Sequence, residues 1–180
     1  MKQIDILHED EWISLRKIRW PEKSIYGYTY SHETRCNGQI ISILPFKIEA
    51  SGMMILLRSE VTPCWDTEKP IISSITGGVE KDHVGPNVTA SHELWEEAGY
   101  KASPEEFISL GTCRGTKSCD TIYHLFSIDL TDIPRKGEGS GDGSELETLA
   151  HCFWAKPTKI IKIEDPIAHV CFTRLNDLLA

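Results

Sequence analysis

The segment that most restricts the fold of this chain is an acidic helix that follows an apolar run and two glycines. Residues 71–75 are largely apolar and lead into Gly77 and Gly78, a pattern typical of a strand that ends in a turn. Residues 87–98 then have helical spacing, after Pro86 at the first turn and before Gly99, which suits the left-handed position that ends a helix. A strand, a glycine turn and a helix in this order predict an α/β fold.

The rest of the chain reads as strands mixed with two further helices. The sequence predicts strands over residues 25–31, 39–48, 53–57, 107–111, 121–130 and 148–154. It predicts helices over residues 10–19 and from Asp165 onward. No repeat of 20–50 residues is visible, and 180 residues fit one ordinary domain. We therefore expect a single domain over residues 1–180, with the glycine-rich residues 137–143 as a flexible surface loop.

The composition excludes several classes of function. With 19 Lys and Arg against 27 Asp and Glu, the net charge is −8, so bulk electrostatic coating of nucleic acid is excluded and an anionic ligand would need a cation as partner. No apolar run is long enough for a membrane span, and the N-terminal residues lack the apolar core of a signal peptide. Six scattered cysteines without a Cys-x-x-Cys pair predict free thiols in a reducing cytoplasm.

Three glutamates in the predicted helix are the strongest functional signal. Glu93, Glu96 and Glu97 fall within a sector of about 100° because a helix turns about 100° per residue. Like charges one turn apart repel each other, and carboxylates in a last turn oppose the helix dipole. The row is either a solvated acidic face or a site for a divalent cation such as Mg²⁺, which takes oxygen ligands and bridges carboxylates to phosphates.

Residues 78–100 resemble the Nudix box, G-x5-E-x7-R-E-U-x-E-E-x-G-U, in which U is a bulky, usually aliphatic residue. Gly78 matches its first position, and Glu93, Glu96, Glu97 and Gly99 match its second half at the correct distances, with Leu94 and Tyr100 at the bulky positions. Two positions depart from the box. Its first glutamate is Val84 here, for which Glu80 or Asp82 could compensate, and its arginine is His92.

This resemblance implies a Nudix-type α/β/α sandwich with a mixed β-sheet. It also implies Mg²⁺- or Mn²⁺-dependent hydrolysis of a nucleoside diphosphate linked to another moiety, with ADP-ribose as the best single guess. Glu93 and Glu97 would be the main metal ligands, with Glu96 as a ligand or a support, and the backbone near Gly77 or Gly78 would approach the substrate or the metal.

Further site residues follow from the same resemblance. Glu145 and Glu147 come just after the glycine-rich loop, where ADP-ribose-processing relatives carry a base for the attacking water; the alternative is that both are ordinary solvated charges. Arg58 is similar to a substrate-binding arginine of the ADP-ribose group, and Arg114 could pair with a phosphate. Trp65, Tyr28 or Tyr30 could stack on a base, although aromatic residues are more often part of a core.

Two other classes of function stay open at this stage. Val84 and His92 are also compatible with a Nudix-fold module that binds a nucleotide with little or no turnover. A structural interaction domain would leave the acidic face merely exposed. The resemblance makes a homodimer possible, because residues 1 to about 50 are similar to the N-terminal extension through which relatives exchange strands.

Overall fold

The computed structural model describes residues 1–65, 69–80, 85–137, 139 and 149–180. Its first three strands, β1 (Gln3–Glu9), β2 (Ile13–Trp20) and β3 (Ile25–Glu33), form an antiparallel sheet of their own in the order β1-β2-β3. The predicted helix over residues 10–19 is therefore wrong. Its apolar residues also fit a strand, and hydrogen bonds from two neighbouring strands decide between the two forms.

Eight further strands build two sheets in the described part of the chain. Their bounds are β4 (Gln39–Ile43), β5 (Phe46–Glu49), β6 (Gly52–Glu60), β7 (Ile71–Ser73), β8 (Ile75–Gly78), β9 (Ile108–Cys113), β10 (Ile122–Ser127) and β11 (His151–Ala155). One sheet has the order β8-β4-β10-β9 and is mixed, because β10 runs parallel to β4 while its other pairs are antiparallel. The other has the order β11-β6-β5, with β7 also paired to β6.

Two helices cover these sheets, α1 (Pro86–Ala98) and α2 (Pro166–Leu179). Leu94 of α1 belongs to one core cluster and Leu175 of α2 to the other, and both are fully buried. Neighbouring residues of one strand divide between the clusters, since Leu125 packs with α2 and Phe126 with α1. Successive side chains of a strand point to opposite faces, so the helices lie on opposite sides. The predicted α/β/α sandwich with a mixed sheet is confirmed.

Two predicted strands are each divided in the structure. The expected strand over residues 39–48 is interrupted between β4 and β5, where Pro45 has no amide hydrogen to donate. The run 71–75 is divided at Ser74, whose amide donates to Oδ2 of Asp165 at 3.0 Å instead of to a strand. This bond ties the start of β8 to the residue before α2, next to the cleft described below.

Other expectations concern the termini, thiols and loops. All six cysteines are described and are free thiols, as predicted. No helix among the described residues is long and apolar enough to cross a membrane. Most of the glycine-rich loop 137–143 and the start of the predicted strand 148–154 lie outside the described residues. The single domain with an extension at residues 1–50 stays a prediction; β4 and β5, within that range, belong to the two sheets of the sandwich.

Candidate active site

Helix α1 approaches strand β8 closely because Gly77 has no side chain. A Cβ atom built on Gly77 would overlap the side chain of Glu93, whose Cγ would be only 2.6 Å away. The fully buried Ala90 and Leu94 hold this helix against the sheet. The strand backbone and the Glu93 carboxylate are thereby brought together.

The end of α1 also follows the predicted geometry. Gly99 adopts a left-handed conformation with φ 74°, and its amide donates to the carbonyl of Trp95 at 2.9 Å. Glycine is favoured here because other residues pay a steric cost for positive φ. The helix therefore ends directly after the turn that carries Glu96 and Glu97.

A cleft of about 410 Å³ opens along this part of the molecule. The three helix glutamates all line it, together with Gly77 and Gly78 of β8. The other lining residues are Arg35, Cys36, Arg58, Glu60, Val61, Thr76, Val79, Glu80 and Ala150. The structure thus gathers six of the nine residues that the sequence nominated, namely Arg58, Gly77, Gly78, Glu93, Glu96 and Glu97.

Arg58 is the buried cation of this cleft. Its side chain is only 5% exposed, and its Nη1 forms an ion pair with Oε2 of Glu97, whose side chain is 8% exposed. Its Nε donates to Oε2 of Glu60 at 2.9 Å, and the other oxygen of Glu60 accepts from Ser73 at 3.2 Å. One guanidinium therefore joins β6 to the last turn of α1.

The three glutamates differ in their exposure. Glu93 and Glu97 face the cleft, where Glu93 is half-buried and the Glu97 side chain is almost fully buried, whereas Glu96 is exposed at the rim. Glu96 also borders a shallow depression that His92 and Trp95 line on the outer side of the helix. His92 is exposed, so the residue at the box's arginine position is not among those that line the cleft.

The remaining nominated residues are placed elsewhere or are not described. Arg114 donates from Nη1 to the carbonyl of Asp120 at 2.6 Å and lines a different depression, together with Tyr28 and Tyr30. The structure therefore does not bring Arg114 to the carboxylates, and its role stays a prediction. The positions of the predicted base and of the missing box glutamate (Glu145, Glu147, Val84 and Asp82) lie outside the described residues.

A second cleft of about 360 Å³ adjoins the first, with which it shares Arg35, Glu60, Thr76 and Gly77. Its wall is more apolar and carries Ile40, Trp65, Ile71, Tyr123 and Ile167. Burial raises the pKa of the Tyr123 phenol to about 12, so this hydroxyl stays protonated at neutral pH.

A buried carboxylate closes the second cleft at the start of α2. Asp165 is 5% exposed; its Oδ1 accepts from the amide of Ile167 at 2.8 Å, and its Oδ2 accepts from the Ser74 amide and hydroxyl at 3.0 Å each. One oxygen of Asp165 therefore caps the start of α2, and the other links it to Ser74 between β7 and β8. We therefore assign Asp165 to the scaffold of this cleft.

Sequence reasoning missed Arg35, Glu60 and Tyr123. Arg35 lies in the turn between β3 and β4, and Glu60 ends β6. Neither belongs to a recognisable motif, and both reach the cleft only because the sheets bring distant segments together. The signal available for Glu60 was its i+2 spacing from Arg58, which puts both side chains on one face of a strand.

The carboxylates of α1 are chemically suited to a hard divalent cation, but one of them already forms an ion pair with Arg58. Carboxylate oxygens are the ligands that Mg²⁺ prefers, and Glu93 and Glu97 present them one helical turn apart. Within the described ranges, however, no group of three or more His, Cys, Asp or Glu side chains is arranged to hold a metal ion. Glu97 is turned toward Arg58, so binding a cation requires Glu97 to be shared with the guanidinium or released from it.

No protein-family model matches this sequence, and no curated protein does. Many solved structures are similar in fold, among them two hydrolases. An ADP compounds hydrolase superposes with a TM-score of 0.69 at 14% identity, over 98% of this chain and 91% of that one. A Nudix hydrolase from Listeria monocytogenes superposes with a TM-score of 0.51 at 16% identity, over 78% of this chain and 92% of that one. The chain therefore has the Nudix fold that residues 78–100 indicated.

Proposed function

We propose that this protein hydrolyses the pyrophosphate bond of a nucleoside diphosphate linked to another moiety, with Mg²⁺ or Mn²⁺ as cofactor and ADP-ribose as the first candidate substrate. The observation that carries this proposal is the pairing of Glu93 and Glu97 on one helix face, toward a cleft floored by the Gly77 backbone. The shared fold with an ADP compounds hydrolase adds support.

Different residues of the chain have different roles in the proposed reaction. When bound, the divalent cation supplies positive charge against the pyrophosphate oxygens and makes water a stronger nucleophile at neutral pH. Glu93 and Glu97 would hold it, and Glu96 at the rim would support it. Because the chain carries a net charge of −8, local cations must offset the repulsion of phosphates. The base remains assigned to Glu145 or Glu147, as the resemblance implies.

The junction of the two clefts suits the two halves of such a substrate. Arg35 lines both clefts, and its side chain is 48% exposed, so its guanidinium can turn toward a phosphate and contact it with two N–H donors. The apolar wall with Trp65 and Tyr123 offers surfaces on which a flat nucleobase can stack. We therefore place the pyrophosphate of the substrate at the carboxylates of the first cleft and its nucleobase in the second cleft.

One observation favours the alternative of a nucleotide-binding module with little turnover. Glu97 is paired with Arg58, and the box's arginine and first glutamate are His92 and Val84. If the guanidinium keeps Glu97 from the cation, the clefts bind a nucleotide without cleaving it. Thermal stabilisation by ADP-ribose without product release identifies this case, because ligand binding alone raises stability by mass action.

The test measures phosphate released from ADP-ribose products by an added phosphatase, with and without Mg²⁺. We expect Mg²⁺-dependent release by the wild type and a loss of at least about 100-fold in Glu97→Gln, as for removal of a group that acts in the transition state. Glu105→Gln, which changes an exposed glutamate in a turn after α1, is the matched control. Equal activity of Glu97→Gln and the wild type would refute the site.

We also propose that two copies associate through the sheet of β1, β2 and β3. Strand β1 pairs only with β2 among the described strands, and it exposes Ile4, Ile6 and Leu7. An exposed apolar edge strand is a template for pairing with another chain, and isologous pairing of two copies closes the edge. Light scattering of the wild type and Ile6→Lys tests this: the wild type should be a dimer, and a wild-type monomer would refute it.

A further inference from the structure

Arg58 differs from a surface arginine because its guanidinium is buried and is held by two carboxylates. It lies in β6, which has neighbours on both sides in β11 and β7, and its side chain is 5% exposed. Desolvation of a guanidinium is costly unless carboxylates and hydrogen bonds compensate for the lost water. Glu97 and Glu60 supply that compensation on two sides of the group.

The Glu97 carboxylate therefore has two competing cation partners, the proposed divalent metal and Arg58. The proposed function assigns Glu97 to a divalent cation, and the structure pairs it with Arg58. A carboxylate close to a fixed positive charge binds a second cation less well, because the two cations repel each other and the guanidinium must be displaced from at least one oxygen. This effect is largest where side chains are buried, as they are here.

The residue at the Nudix-box arginine position does not line the cleft. His92 occupies that position, is exposed, and borders the outer depression rather than the cleft. Arg58 reaches the carboxylates from the opposite element, the central strand β6, and is fixed there by Glu60 and, through it, by Ser73. The cation that faces Glu97 is therefore supplied by the sheet.

We propose that Arg58 is the resident counter-ion of Glu97 and competes with the divalent metal for this carboxylate, so that Arg58 sets the metal affinity of the site. The proposal rests on the proposed function, since it takes Glu97 to be a metal ligand. It differs from a role in substrate binding: the Nε and one Nη of Arg58 are already engaged by Glu60 and Glu97. Without metal, the ion pair keeps Glu97 compensated; with metal, the cation takes over that compensation.

The experiment measures Mn²⁺ binding by the electron paramagnetic resonance signal of free Mn²⁺, and melting temperature in EDTA or with Mn²⁺. Arg58→Met removes the charge and keeps an unbranched apolar side chain. Arg174→Met is the matched control: Arg174 is an arginine of α2 that donates to the carbonyls of Leu110 and Thr112 and does not line the cleft.

Competition predicts that Arg58→Met binds Mn²⁺ about tenfold more tightly than the wild type, because a repelling charge beside the site is gone. In EDTA this variant should melt below the wild type, and Mn²⁺ should raise its melting temperature by more than it raises that of the wild type. Arg174→Met should match the wild type in Mn²⁺ affinity. If Arg58 instead orients Glu97 for the metal, Arg58→Met will bind Mn²⁺ less tightly, which overturns the proposal.

A second variant covers the case in which Arg58→Met does not fold. Arg58→Gln removes the charge but keeps a side-chain amide that can still donate to one of the two glutamates. It should bind Mn²⁺ more tightly than the wild type; equal or weaker binding overturns the proposal. Failure of the wild type to bind Mn²⁺ overturns the proposed function as well, whereas wild-type binding that weakens in the Arg58 variants overturns the competition alone.

Discussion

Replacing Gly77 with alanine tests whether the site depends on the close approach of β8 and α1. The new methyl group would lie 2.6 Å from Cγ of Glu93, and ordinary contact with a Cβ begins near 3.4 Å. The carboxylate atoms of Glu93 lie closer to the new methyl group than Cγ does, so the Glu93 side chain must retreat by more than about 0.8 Å or leave its rotamer. Gly77 is not among the glycines with positive φ, so the backbone itself accepts alanine.

Gly77→Ala should change the free energy of unfolding little but lower the activity strongly. Alanine at a compatible position lowers the entropy of the unfolded chain and stabilises by about 0.4–1 kcal/mol. A displaced rotamer costs about 0.5–1.5 kcal/mol, so the net change in the free energy of unfolding is about 1 kcal/mol or less. A displacement of about 1 Å at a reacting group lowers the rate by about 100-fold. We therefore expect a folded protein that has lost most of its activity.

The assay pairs phosphate release from ADP-ribose, under saturating Mg²⁺, with thermal melting of the same preparations. Gly27→Ala is the matched control, because Gly27 lies in β3 and its added methyl meets only the flexible end of the Lys17 side chain. The control should keep activity within about twofold of the wild type. Wild-type activity in Gly77→Ala would show that the position of Glu93 does not matter, and unfolding of that variant would show that the contact is structural.

Three further predictions concern the scaffold. Asp165→Ala removes a helix cap and the bonds from Ser74, so it should lower the free energy of unfolding by about 2–4 kcal/mol in urea titrations; an unchanged urea midpoint would contradict this. Gly99→Ala should cost at least about 1–2 kcal/mol in the same titrations, because φ is 74° there and an added Cβ would also overlap the backbone carbonyl of Gly137; a gain in stability would refute it. The exposed Cys64 should react with a thiol reagent at pH 8 while Cys171 should not. Burial raises the pKa of Cys171 to about 12 from 9.0, so stability should fall as the pH rises above 9, since the unfolded thiol ionises first. A urea midpoint that rises between pH 8 and pH 10 would contradict this.

The elements around the site could be predicted because several local signals agree. Pro86 and Gly99 mark the two ends of α1, and the buried row of Ala90 and Leu94 has the period of a helix. The segment 10–19 failed because its signals conflict. Its alternation is weak, with Ser14 buried and Leu15 exposed in β2, so only pairing with β1 and β3 determines its form.

The candidate site was likewise predictable from the sequence only in part. Glu93, Glu96 and Glu97 are three or four residues apart or adjacent, and helix geometry alone places them together. Arg58 was nominated, yet its contact with Glu97 spans 39 positions of the sequence and depends on how β6 packs beside α1. Sequence spacing carries no information about a contact of this kind, so the pairing that decides the charge of the cleft was visible only in the fold.

The charge balance of the cleft supports the cation that we propose as a ligand of this acidic chain. Carboxylates in the last turn of α1 lie at the negative end of the helix dipole, and Glu60 adds another from β6. Arg58 offsets part of this charge, and it does so from a buried position where it cannot leave for solvent. A divalent ion brings more charge than one guanidinium and accepts several oxygens at once. A phosphate ester that arrives with such an ion meets a site whose repulsion has already been reduced, whereas a free phosphate faces the full negative potential. Binding of the nucleotide should therefore depend on Mg²⁺ even where no bond is cleaved, and a nucleotide affinity that EDTA leaves unchanged would contradict this account.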